Sequence, residues 1–255
     1  MKRILTALAL IPLIVWVVLY APQWAFLVVL AAVGLIAFHE FSRIAKENGI
    51  PEPGWPGMIA GLALLLAPQP QIVVVLIACL GMLVALRVRD LAESLPAAAA
   101  FTLGVVYIFG AWRCAIYLRA IDANWLMFAL LLSWAGDTAA LYVGKAFGRH
   151  ALAPRVSPAK TWEGAVGSVA GGIVAGVAYA HYLIPSAPLA QVIGFAAAGN
   201  IAGQIGDLCE SAMKRGAGVK DSGTTLPGHG GWLDRIDSSL FSVPVVYALL
   251  KWVAA

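Results

Sequence analysis

The chain has 255 residues, 61% of them hydrophobic and only 12% charged, and its mean hydropathy is +0.86. Soluble domains are roughly half apolar, so this composition excludes an ordinary soluble fold and implies an integral membrane protein. The net charge of +4 does not call for a nucleic-acid partner, because basic residues beside membrane spans follow from topology and anionic headgroups.

Uncharged apolar runs long enough to cross about 30 Å of hydrocarbon, roughly 17 to 25 residues as helix, occupy residues 4–20, 22–38, 96–112, 125–144, 164–184, 189–208 and 238–253. The first follows Lys2 and Arg3 and lacks a small-residue cleavage pattern, so it reads as a retained span and not as a secretory signal. Residues 55–86 are also uncharged but are broken by Pro-Gln-Pro-Gln at 68–71, where proline cannot continue a helix. Split into two short helices, they bring the expected total to nine spans. The fold class is therefore all-α, a polytopic integral membrane helical bundle. Residues 1–120 form N-terminal transmembrane helices, and residues 121–255 form C-terminal catalytic helices with cytosolic loops, the whole being one structural unit. On this topology every one of the 17 Lys and Arg except Arg113, Arg119 and Lys251 falls on one side, which the positive-inside tendency makes cytoplasmic. Gly167, Gly171, Gly172 and Gly176 put small residues four apart on the seventh span, as close helix packing requires. Cys79, Cys114 and Cys209 show no metal or redox spacing.

Four polar groups of residues interrupt this background, in chain order. Asp137 lies within the sixth span, where an ionised group is costly unless it faces a partner or water; a structural pairing with an arginine is the competing reading. Ser157 followed by Pro158 reads as a helix N-cap, which places Lys160 and Glu163 three apart on one face. Asn200, Gln204, Asp207 and Ser211 recur at helical spacing, with Glu210 and Lys214 beside them, and such a stripe must face the bundle interior or an aqueous cavity. The last group runs from Lys214 to Asp237. Its glycines, Gly230 and Gly231 among them, free the backbone for close approach to a ligand, and Lys214, Arg215 and Lys220 suit phosphate. Asp221, Asp234 and Asp237 are hard oxygen ligands, and Asp234 and Asp237 at i and i+3 match a Mg²⁺ site bridging substrate phosphates. Together these groups predict a cytosol-facing site for Mg²⁺ and polyphosphate. No G-x-x-x-x-G-K-[ST] loop and no strand-borne G-x-G-x-x-G is present.

The stretch Ser211-x-Met213-Lys214-Arg215-x4-Lys220-Asp221-x-Gly223-x2-Leu226-Pro227-x-His229-Gly230-Gly231-x2-Asp234-Arg235-Ile236-Asp237 closely resembles the defining motif of phosphatidate cytidylyltransferases. Residues 133–243 carry the resemblance, with Trp232 standing where the family usually has an aliphatic residue or Phe. It implies transfer of cytidylate from CTP to phosphatidic acid at a bacterial inner membrane, with Mg²⁺ required and a second cation allowed. Asp207 and Asp234 are implied as leading metal ligands, with Asp237 and Asp221 in support. Lys214, Arg215, Lys220 and Arg235 would offset phosphate charge, and His229 would bind phosphate or nucleotide. Asp137, Ser157, Lys160, Glu163, Ser211, Gly230 and Gly231 are the expected substrate-binding residues. Membrane lipids are expected neighbours and a homodimer is left open. The alternatives are a CTP-dependent polyprenol-type lipid kinase and an ion-coupled transporter using Asp137 and Asp207.

Overall fold

Hydrocarbon offers the backbone no hydrogen-bond partners, so a chain this apolar has to satisfy its N–H and C=O groups within each segment. The computed structural model, which describes residues 2–225 and 230–253, is helical almost throughout. Helices α1 (Lys2–Leu19), α2 (Gln23–Glu47), α3 (Gly54–Leu66) and α4 (Pro70–Ala85) come first. The Pro68 break falls where the sequence places it, and Pro70 sits in the first turn of α4, where its missing N–H costs nothing. A longer stretch follows, α5 (Ser94–Val105) running through a π turn at Val106–Gly110 into α6 (Ala111–Ile121). Then come α7 (Ala123–Phe147), a hairpin of β1 (Ala151–Ala153) and β2 (Ser157–Thr161), α8 (Trp162–Leu183), α9 (Leu189–Gly216), α10 (Leu233–Ile236) and α11 (Ser239–Val253). Six stretches are long and apolar enough to cross a membrane, while Leu10–Leu19, Gly54–Leu66 and Pro70–Ala85 are shorter. The nine expected runs are thus helical, and six stretches reach crossing length among the described residues.

The residues divide into two compact units. The first holds Met1–Val17, Ala21–Arg113 and Met213–Arg235; the second holds Val18–Tyr20, Cys114–Ala212 and Ile236–Ala255. The charged segment before α10 groups with the N-terminal helices.

The first unit is built by aromatic rings seated on glycines. Phe38 lies against Gly57, Phe41 against Gly104, and Phe109 of the π turn against both Gly34 and Gly61, so a side chain at any of these glycines would occupy ring space. Phe38, Phe101 and Phe109 are fully buried. Arg113, early in α6, donates to the Leu65 carbonyl at the end of α3 at 2.5 Å.

In the second unit α7 and α8 pack along a glycine stripe. Gly167 faces Val143 and Gly171 faces Ala139, Gly172 turns toward Asn200 of α9, and Gly176 sits between Phe128 and Leu132 of α7 and Ala196 of α9, the close packing expected of those four residues. Arg119 donates to the Val18 carbonyl at 2.8 Å. The hairpin pairs Ala151 with Thr161 and Ala153 with Ser157, antiparallel, and corrects one expectation. Ser157 and Pro158 do not open a helix; α8 begins at Trp162, capped by Thr161, whose hydroxyl accepts from the Gly164 amide at 3.1 Å. A strand through Ser157–Thr161 brings Lys160 and Glu163 to different neighbours.

Candidate active site

In the second unit the polar stripe of α9 has two parts. Its deeper part is a fixed network. Asn200 donates to the Leu132 carbonyl at 3.1 Å and accepts from the Ser168 hydroxyl at 3.2 Å and the Gln204 amide at 2.8 Å. Gln204 also donates to the Ala165 carbonyl at 3.2 Å. Its outer part opens on a cavity of about 390 Å³, with Asp137, Lys145, Lys160, Gln204 and Asp207 among the lining side chains. There Lys160 Nζ meets Asp207 Oδ2 at 2.5 Å, with both side chains roughly a third exposed, and the Ser211 hydroxyl donates to Asp207 Oδ1 at 3.3 Å. The structure therefore brings Asp137, Lys160, Asp207 and Ser211 to one place.

Glu163 works on the hairpin instead. Its carboxylate accepts from the amides of Arg149 and His150 at 3.1 and 3.3 Å and lies 2.5 Å from His150 Nδ1. It thereby ties the start of the hairpin to the first turn of α8, and Lys160, at the hairpin's other end, is held by the same tie. Asp237, 8% exposed, accepts from the Ser238 amide at 2.6 Å.

In the first unit the end of α9 and the segment leading to α10 form a second charged cluster. Lys214 Nζ meets Asp234 Oδ1 at 2.5 Å, and the two side chains are only 8% and 6% exposed. Asp234 also accepts from the amides of Ser222 at 2.9 Å and Gly231 at 2.8 Å. A carboxylate in the first turn of a helix is well placed to collect such donors, and here it joins Ser222 to Gly231. Arg215 donates to the Val219 carbonyl at 3.1 Å; Lys220, Asp221 and Arg235 are exposed. Gly230, at φ +80°, would put a Cβ 2.6 Å from Asp234 Oδ2, and a Cβ on Gly231 would collide with Ser222 Oγ and Glu40. The close approach that these glycines allow in the structure is thus to the protein's own carboxylates. His229 lies outside the described residues.

Glu40 is the residue that sequence reasoning missed. It is 1% exposed, and its carboxylate accepts from Ser222 Oγ at 2.8 Å, Thr225 Oγ1 at 2.6 Å, and the amides of Trp232 and Leu233 at 3.1 and 2.8 Å. One signal was available: Glu40 is the first acidic residue of the chain, directly after an apolar run, and a carboxylate there needs partners. Asn48, also unremarked, donates to the Met213 carbonyl at 3.2 Å.

No group of three or more His, Cys, Asp and Glu side chains forms a metal cage among the described residues. Mg²⁺ asks for no such cage, since one or two carboxylates and substrate phosphates hold it. Asp207 and Asp234 each already bind a lysine ammonium at 2.5 Å, so both carboxylates fit a cation.

Comparison with known proteins bears on this chemistry. The family model described as "Cytidylyltransferase family" matches residues 1–253. The phosphatidate cytidylyltransferase of Bacillus subtilis (strain 168) is 32% identical over 264 residues, covering 98% of this chain and 97% of that protein. That of Pseudomonas aeruginosa is 35% identical over 268 residues, covering 99% and 97%. A Thermotoga maritima protein of the same name is 39% identical over 171 residues, covering 64% and 63%.

Proposed function

Because the chain belongs to the cytidylyltransferase family, we propose that it carries out the reaction for which its relatives are named, CTP + phosphatidic acid → CDP-diacylglycerol + pyrophosphate. The observation that carries the reading is the pair of lysine–carboxylate contacts, Lys160 on Asp207 and Lys214 on Asp234. Both involve α9 or the charged segments adjoining it, and both fall within a chain aligned end to end with those enzymes.

A phosphate oxygen of the lipid attacks the α-phosphorus of CTP, the bond from that phosphorus to the bridging oxygen of the β-phosphate breaks, and pyrophosphate leaves. The nucleophile is already anionic near pH 7, because the second pKa of such a phosphate is about 6. No strong base is required, and the protein's task is to position two anions in line and to offset their charge. Lys160, Lys214, Arg215, Lys220 and Arg235 do this. Asp207, with Asp237 in support, and Asp234, with Asp221 in support, are the carboxylates that would hold Mg²⁺, and the ion would supply neutralisation of phosphate charge when bound. Lys214, now held on Asp234, would offset phosphate charge from the same place. The one-sided distribution of Lys and Arg supports a site on the cytosolic face of a bacterial inner membrane.

The test uses purified protein in detergent with phosphatidic acid, Mg²⁺ and CTP. Label at the α-phosphate should enter the lipid and label at the γ-phosphate should not. Lipid labelled only from the γ-position would make the chain a kinase, and no labelled lipid in either case would remove the reading.

A further inference from the structure

We propose that Glu40, on the second helix of the chain, is a positioning residue for the transfer reaction, acting as the anchor on which Ser222, Thr225, Trp232 and Leu233 are held. The inference rests on the transfer reading above. A carboxylate has about four acceptor positions, and here two donors reach each oxygen: Thr225 Oγ1 and the Trp232 amide on Oε1, Ser222 Oγ and the Leu233 amide on Oε2. Ser222 passes the contact on. Its hydroxyl accepts from the Asp234 amide at 3.4 Å while its own amide donates to the Asp234 carboxylate at 2.9 Å. Glu40 thereby fixes the residue that holds Lys214, without itself facing substrate. Gly223 and Gly231 have the same origin, since a Cβ on Gly223 would come 2.6 Å from Glu40 Oε1 and one on Gly231 would collide with the carboxylate. Gln is the informative replacement. It keeps the shape of Glu but turns one acceptor into a donor facing two donors, and groups buried without partners are costly.

The experiment compares the parent with Glu40→Gln in detergent by three readouts: amide hydrogen exchange, thermal midpoint and steady-state kinetics with CTP. Exchange at the Trp232 and Leu233 amides should accelerate at least about tenfold while that of the α7 and α8 amides stays put. The midpoint should move by only a few degrees, and kcat should fall at least about tenfold. Adding Ser222→Ala should cost little more, because the two act as one unit. If Glu40→Gln does not fold, Thr225→Val, at the exposed edge, should show the same changes on a smaller scale. Unchanged exchange at those amides overturns the proposal, as does faster exchange with kcat within about twofold of the parent. A parent inert toward CTP and phosphatidic acid, with the exchange difference intact, overturns the transfer reading and leaves the anchor standing.

Discussion

Asp207 and Asp234 each hold a lysine at the same distance, yet burial makes them different experiments. The Lys160–Asp207 side chains are 30% and 27% exposed, so the pair contributes about 0–1 kcal/mol to stability. The Lys214–Asp234 side chains are 8% and 6% exposed, and removing one partner of a buried pair costs about 3–5 kcal/mol. Asp207→Asn should therefore reduce turnover below about a tenth, more than 1.4 kcal/mol in barrier, while the thermal midpoint in detergent shifts by no more than about 4 °C. Asp234→Asn should lose turnover as far and also melt distinctly earlier. Equal midpoints for the two variants would refute the contrast, and substantial activity in either would take that aspartate out of the proposed metal site. Sequence spacing marked both carboxylates as candidates. It did not separate them, because burial depends on packing between elements far apart in the chain.

Among the elements, the hairpin and the glycine stripe carry the sharpest expectations. Glu163 holds the hairpin by two amides and His150, and Lys160 reaches Asp207 from that hairpin's second strand. Glu163→Gln should lower activity several-fold and hasten tryptic cleavage at the exposed Arg155, whereas a side chain engaged only with substrate would leave the cleavage rate unchanged. Gly171 lies against Ala139 of α7, so Gly171→Leu should overpack the interface by about 1–3 kcal/mol and lower the thermal midpoint by several degrees; an unchanged midpoint would mean that the helices slide apart freely. The stripe was legible because its period is that of the helix. The hairpin was not. Ser157-Pro158 satisfies the local rules for a helix start equally well, and only the antiparallel partner at Ala151–Ala153 decides for a strand.

For the whole molecule the apolar runs announced a helical membrane protein, and the lopsided Lys and Arg distribution predicts its orientation. In a background without Cys79, Cys114 and Cys209, cysteines at Arg155 and at Thr224, both exposed, should each react with a membrane-impermeant thiol reagent in inverted vesicles and not in intact cells. Labelling of either one from outside the cell would reverse the orientation. The N-terminal helices looked featureless because the partners of Glu40 are 182 to 193 residues away for Ser222 and Leu233, and a single sequence shows no pairing at that range. That separation also has a consequence in time. At roughly 5–20 residues per second, the ribosome delivers those donors about 10–40 s after Glu40 has been made. A carboxylate is costly in hydrocarbon, so the nascent second helix must keep that end at the water boundary until those donors have been synthesised. A chain stopped before Ser222 should therefore remain open to membrane proteases that the finished protein resists.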